Sequence, residues 1–277
     1  MKTCQALEKE GYEVTYIDVT ERGVIDLEQL KNAIRNDTVA ISVMYVNNET
    51  GVVQPIDEIA KMIEGKGIVL HTDAIQGVGK EMILPKKQGI HALSAAAHKF
   101  YGPKGTGFLY LDQNYMIEKE ITGGSQERNR RSGTENVHGI VGMAKALEIV
   151  YSDMEEEQAK EKEMQIYLEE ALKEEICNIK INCGNSRRIS SVVNITLEDC
   201  NVQTLMVALD MEGICVSGGS ACMSGAMETS HVLKAMGASE EDLKSSIRVS
   251  IGRYNTKDEI DIFIQKLKEI VARERAK

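Results

Sequence analysis

Lys99 ends the small, apolar run ALSAAAHK and stands just before the Gly/Pro-rich stretch FYGPKGTG. Such a run suggests a strand that delivers the lysine to a turn, where partial desolvation lowers an amine's pKa and makes it more nucleophilic. An amine so placed suits imine formation with an aldehyde. Asp73 follows the apolar run IVLHT, and a carboxylate at a buried strand end needs a cationic partner. A protonated pyridine nitrogen would serve, as in the pairing by which proteins strengthen pyridoxal phosphate as an electron sink. The alternative is a helix N-cap, since AIQGVGK follows at once. Far downstream, Cys222 lies among Gly218, Gly219, Ser220, Ser224 and Gly225, a poor setting for a packed residue. A solvent-reachable thiolate on such a loop is a candidate nucleophile.

Other residues are less specific. His98 suits either a phosphate bond or a satisfied histidine at a strand end. Arg248, in SSIRVSIGR, suits a substrate carboxylate through its planar fork, or a structural ion pair. The stretch ITGGSQERNRRSGTEN offers Ser125, Gln126, Arg128, Arg130, Arg131, Ser132 and Thr134 to a phosphate or a subunit contact, or simply as surface charge. Cys215, in the apolar run GICVS, reads as an inert core thiol.

The elements that must position these groups alternate. GYEVTYIDV, VAISVMYVNN, GIVLHTDA and GTGFLYLD read as strands. Between them LEQLKNAIRN, with Asp26 as its cap, and PIDEIAKMIEGKG, starting at Pro55, read as helices. This order predicts an α/β layer structure with a largely parallel sheet, whose ligands gather at the carboxyl ends of strands. Asn48, Asp73 and Lys99 fall at such ends. Residues 135–175 read as helical, the charge of DMEEEQAKEKEMQ marking a solvated face. A second, smaller domain follows, with SVVNITLE and SSIRVSIG as strands and VQTLMVALDMEG as a helix ended by Gly213. A final helix opens on the capping box TKDE, with Ile260, Phe263, Ile264, Leu267 and Val271 facing the core. The expected division is 1–155 and 156–277.

The 277 residues carry a net charge of −10, which argues against general affinity for nucleic acid or anionic membranes. With 42% hydrophobic residues, no tryptophan and three phenylalanines, the core must be aliphatic. Cys4, Cys177, Cys183, Cys200, Cys215 and Cys222 show neither CxxC pairs nor a disulfide framework. Reduced thiols in a soluble, cytoplasmic protein are expected, and no metal site is indicated. The opening MKTCQALEKEGYEVTYIDV enters directly on a helix, as though part-way through a domain.

YVNNETGVVQPI, HTDAIQGVGK, AAAHKFYGPKGTGFLY, RSGTENV, SGGSAC and SSIRVSIGRYNTKDEID together resemble the motifs of cysteine desulfurases. These are the NifS/IscS-like members of the class V aminotransferase family. The resemblance spans essentially the whole chain. It implies a homodimeric pyridoxal-phosphate enzyme of aspartate aminotransferase-like fold (fold type I), with a large domain and a smaller α/β domain. By it Lys99 is the Schiff-base lysine, Asp73 the partner of the pyridinium nitrogen, and Gln76 and Asn48 hold the ring hydroxyl and its neighbourhood. His98 binds the cofactor phosphate, and Thr134 reaches the phosphate in the partner subunit's site. Asn48 and Arg248 meet the substrate, Arg248 through its carboxylate. Cys222 carries the persulfide.

The implied reaction removes sulfur from L-cysteine, leaving L-alanine and a persulfide on Cys222 for an iron–sulfur scaffold or another acceptor. Two departures from the family pattern stand out. About the first quarter of the family's chain, with a phosphate-binding cup and a histidine stacked on the cofactor, has no counterpart. Ala96 also stands where the family usually has a serine. Hence the alternatives of a catalytically impaired fragment serving as a binding or dimerisation module, or of a related enzyme such as a selenocysteine lyase. With the cup missing, the chain is expected to bind the cofactor weakly or not at all.

Overall fold

The computed structural model of the protein describes residues 2–219 and 229–276. After α1 (Lys2–Lys9), the Asp26 carboxylate accepts hydrogen bonds from the amides of Glu28 and Gln29 and so starts α2 (Leu27–Ala33). There follow β1 (Ala40–Met44), α3 (Ile56–Ile63), β2 (Val69–Asp73), β3 (Ala92–Ala96) and β4 (Gly107–Leu111). They form one sheet in the order β1-β2-β3-β4, with β1, β2 and β3 parallel and β4 antiparallel. The carboxyl ends of the three parallel strands therefore open on one side. Alternation sends Ile41, Leu70, Leu93 and Ala95 into a core shared with Ile56, Ile59 and Ile63, the apolar stripe of α3.

The segment Tyr12–Val19 does not form the expected strand. Val19 makes a single bridge to Ile25, and most of the segment is exposed. Its alternating pattern has no neighbouring strand to complete a ladder, and an unpaired strand gains too little to persist.

The chain continues through a single turn, α4 (Gln126–Asn129), into α5 (Val137–Ser152) and α6 (Met154–Glu175). Then come β5 (Ile179–Asn182), β6 (Val192–Leu197), α7 (Val202–Met211), α8 (His231–Ala235), α9 (Glu240–Lys244), β7 (Ser246–Ser250) and α10 (Lys257–Arg275). The second sheet is antiparallel, in the order β5-β6-β7. Val193, Ile195 and Leu197 of its central strand pack with Leu168 and Leu172 of α6, Leu205 and Leu209 of α7, and Phe263, Ile264 and Leu267 of α10. The capping box forms as expected, Thr256 accepting from the Glu259 amide while Glu259 accepts from that of Thr256.

The charged run of α6 is solvated at Glu155, Glu156 and Glu163, but Glu161 is buried against Lys80 at 2.5 Å. Two cores result, one per sheet, though Ile189 and Val192 join the first. They do so because Val53 donates to the Arg187 carbonyl and Ile189 to that of Gly51, stitching residues 187–189 to 51–53. No helix among the described residues is long and apolar enough to cross a membrane.

Candidate functional site

The end of β3 dictates where Lys99 goes. A 3-10 turn, Ala97–Phe100, follows the strand directly, and Phe100, 1% exposed, anchors it in the first core. Tyr101 adopts a left-handed conformation (φ 64°), and the Gly102 amide donates back to the Ala97 carbonyl at 2.8 Å. A Cβ at residue 102 would lie 2.9 Å from the Ala97 Cβ, so glycine alone allows so tight a return. With Phe100 turned inward, His98 and Lys99 are exposed. Ala96 ends β3 half-buried and caps nothing.

Asp73 is the last residue of β2 and pairs in register with Ser94 of β3, so it leaves the sheet on the same side as the lysine turn. Its Oδ1 accepts from the Ile75 amide at 3.1 Å. The cap alternative is thus met in a reduced form, a turn rather than a helix. Asp73 is exposed, and no ion pair to it forms among the described residues. Gln76 is half-buried in that same turn. Two residues before Asp73, His71 bonds Ser42 of β1 through Nδ1 (2.8 Å) and Ser94 of β3 through Nε2 (2.9 Å). Burial pushes the His71 pKa down, while the Asp73 carboxylate pulls it the other way.

Beyond β1 the chain makes a tight turn. The Asn47 Oδ1 accepts from the amides of Glu49 (2.9 Å) and Thr50 (3.0 Å), and Gly51 at φ 75° donates back to the Asn47 carbonyl. Asn48 and Glu49 stand at its tip. Arg248 of β7 reaches across 200 residues of sequence and donates from a terminal guanidinium nitrogen to the Asn48 carbonyl at 2.9 Å. The structure thus brings the expected substrate pair together. A buried polar row supports the contact from behind. Asn182 donates to Asn194 and Thr196, and Asn194 donates to the Glu49 carbonyl.

Thr134 is exposed just ahead of α5 and makes no hydrogen bond to the strand-end groups among the described residues. The arginines at 128, 130 and 131 are likewise exposed. Cys222 lies outside the described residues. Cys215 corrects its expectation: it is exposed, because GICVS forms no strand and enters the second sheet only where Ser217 bridges Arg248. Glu49, buried to 1%, carries no sign of its importance in composition. The one local signal is NNETG, whose first side chain folds back on its own backbone, and it marks the turn rather than the carboxylate.

The exposed amine of Lys99, the Asp73 carboxylate, which has no ion pair among the described residues, the His98 imidazole and the Asn48 amide thus all follow strand ends on one side of a parallel sheet. That donor set fits an anionic aldehyde carrying a basic ring nitrogen. A class V aminotransferase family profile matches residues 1–263.

The chain belongs to the class V aminotransferase family.

It is 42% identical to the cysteine desulfurase IscS of Clostridium botulinum over 277 residues, 99% of this chain and 70% of that protein. It is 41% identical to a cysteine desulfurase of Nostoc over 276 residues, 100% of this chain and 69% of that one. A solved NifS-like protein superposes with a TM-score of 0.90 at 34% identity, covering 98% of this chain and 71% of that one. A NifS-like protein from Rickettsia africae gives 0.86 at 35% identity, over 92% and 69%. These relatives place this class V chain in the NifS/IscS-like cysteine desulfurase branch, with the fold type I architecture and pyridoxal phosphate as its cofactor.

Proposed function

We propose that the chain removes sulfur from L-cysteine, giving L-alanine and a persulfide on Cys222. The observation that supports this reading is the bond from Arg248, in the second sheet, to the Asn48 carbonyl in the turn that follows β1 of the first sheet. Pyridoxal phosphate, when bound, withdraws electrons from the Cα of the amino acid it holds. Lys99 would hold the cofactor through its aldehyde, and its amine would serve as the base for the substrate's Cα proton. Asp73 would keep the ring nitrogen protonated, Gln76 and Asn48 would hold the ring's polar edge, and His98 would bond the phosphate. Arg248 takes the substrate carboxylate.

The Cys222 thiolate forms a bond to the substrate sulfur. The carbon–sulfur bond breaks, its electron pair stays with the carbon fragment, and protonation gives alanine. A solved relative, SspA, 33% identical with a TM-score of 0.78, is described in complex with cysteine, which supports that substrate here. The same reading includes a homodimer in which Thr134 serves the partner subunit's phosphate, a cytoplasmic setting, and delivery of sulfur to an acceptor for iron–sulfur assembly. The division into a large domain, 1–155, and a small one, 156–277, is supported by the presence of one core per sheet, Ile189 and Val192 crossing to the first.

The test is reconstitution of the full chain with pyridoxal phosphate, followed by assay of alanine and of persulfide on Cys222 after L-cysteine is added. Turnover lost in both Lys99→Ala and Cys222→Ala supports the reading. A well-folded chain that retains no cofactor, or turnover surviving Cys222→Ala, sinks it.

A further inference from the structure

Glu49 is the most deeply buried carboxylate near the site, and its surroundings are specific. Its Oε2 accepts from the Ser230 hydroxyl at 2.5 Å. The same oxygen lies 3.7 Å from where a Cβ on Gly219 would stand, and the Ser230 Cβ lies 3.8 Å from that point. Gly219 and Ser230 bracket the stretch that contains Cys222. Both therefore close on one carboxylate, which sits one residue from the carbonyl that receives Arg248.

Each foot is fixed independently as well. On the incoming side, the Arg248 and Ser217 backbones exchange hydrogen bonds at 2.6 and 3.1 Å, and the Ser217 hydroxyl donates to the Gly219 carbonyl. A Cβ at Gly218 would come within 2.8 Å of Val202 and 2.9 Å of Met206, and Gly219 has φ 96°. On the outgoing side, Ser230 caps α8 by accepting from the Leu233 amide at 3.1 Å while donating to Glu49. The carboxylate's own backbone is held by Asn194 in the second sheet. A carboxylate buried this far costs free energy unless it is bonded. Its hydrogen bond here comes from Ser230, one foot of the cysteine segment, with the other foot, Gly219, beside it, while the Glu49 amide donates to the Asn47 side chain within the turn that carries Asn48.

We propose that Glu49 is a positioning residue for sulfur transfer: it holds Ser230 by a hydrogen bond, with Gly219 beside it, at the substrate-binding turn, and so sets where both ends of the segment that contains Cys222 start. This rests on the assignment of Cys222 as the sulfur acceptor. Glu49 touches neither substrate nor cofactor and acts through Ser230 and Gly219.

The experiment uses the full chain loaded with pyridoxal phosphate and the variants Glu49→Ala, Glu49→Gln, Ser230→Ala and Cys222→Ala. Hydrogen–deuterium exchange is read on peptides covering 214–219 and 229–236, and persulfide on Cys222 is read in a single turnover. Glu49→Ala is expected to raise exchange at both feet and to slow persulfide formation about tenfold or more, because ångström-scale misplacement costs up to ~100-fold. Cofactor retention stays as in the parent. Glu49→Gln keeps an oxygen for Ser230 and recovers most of the loss, which a bulk packing role would not explain. Unchanged exchange at both feet with a parental persulfide rate in Glu49→Ala overturns the proposal. Should Glu49→Ala fail to fold, Ser230→Ala decides by the same two readouts. Turnover surviving in Cys222→Ala would instead overturn the acceptor assignment, and the exchange data would still judge the tether separately.

Discussion

At the scale of single residues, the site depends on groups whose ionisation and geometry are set by a few close neighbours. His71 is held between Ser42 and Ser94 and lies two residues below Asp73 on the same strand. Its folded pKa is depressed by burial, so between that value and the unfolded value of about 6.5 the unfolded chain binds more protons. Stability is therefore fully present above the unfolded value and is lost as pH falls through the folded one. The parent is expected to lose more melting temperature on going from about pH 7.5 to pH 5 than His71→Gln does, as scanning calorimetry would show. An equal loss in both would mean that His71 contributes nothing to acid sensitivity. Arg248 gives a second expectation. Lysine cannot hold the Asn48 carbonyl and a carboxylate together through one planar fork. Losing a charged hydrogen bond of about 1.5–3 kcal/mol should raise KM for L-cysteine in Arg248→Lys roughly ten- to hundredfold. Initial-rate assays across substrate concentration check it, and an unchanged KM removes Arg248 from the substrate site.

Elements carry these residues to their places, and the lysine turn shows how narrowly. Strand β4 lies so close to β3 that a Cβ at Gly107 would sit 2.5 Å from the Ala95 carbonyl oxygen. Gly107→Ala must shift one strand against the other just before Lys99. It is expected to destabilise the protein by about 1–3 kcal/mol in urea unfolding and to weaken cofactor retention in parallel. A neutral result would show that the pair relaxes without disturbing the turn. Much of this level was legible in the sequence, because local chemistry decides it. Asp26 and Thr256 act on amides two or three residues away, and the stripes of α3 and α10 need only helical spacing. What escaped depends on distant partners. Tyr12–Val19 alternates like a strand but finds no ladder, and GICVS is apolar but stays outside the sheet apart from one bridge. Strand β6 reads as plain core, yet its Asn194 and Thr196 turn to a polar row that ends on Glu49. Lys99, Asp73 and Arg248 could be picked by type and setting, whereas Glu49 gains its meaning only from Ser230, 181 residues on.

Over the whole molecule, the two cores must keep a fixed relation, because Lys99 and Asp73 leave one sheet and Arg248 the other. Besides the apolar and backbone contacts of residues 187–192, the joint between them has an ionic part. Glu161 of α6 receives Lys80 at 2.5 Å, and the Gln158 amide donates to the Lys80 carbonyl at 2.6 Å. Arg253 pairs with Glu157 and lies 3.7 Å from Asp153, while its backbone amide donates to the Tyr101 hydroxyl at 3.1 Å. The Tyr101 ring, two residues past Lys99, has the Arg253 guanidinium 5.0 Å away and the Lys80 ammonium 6.0 Å away. Burial raises the Glu161 pKa, while the charge and hydrogen bond of Lys80, and more weakly the charge of Lys160, oppose that rise, so the carboxylate depends chiefly on Lys80. Removing one partner strands the other charge in a dry setting. Glu161→Ala is therefore expected to cost about 3 kcal/mol in urea unfolding. Replacing both charges by apolar residues of similar size removes the stranded charge, so Lys80→Met with Glu161→Leu should recover most of that loss. The double variant also separates stability from alignment. If the joint only holds the halves together, it should turn over like the parent. If it also orients the lysine turn through Tyr101, kcat should fall while the melting temperature is restored. A Glu161→Ala cost below about 1 kcal/mol would match an exposed pair and place the joint elsewhere.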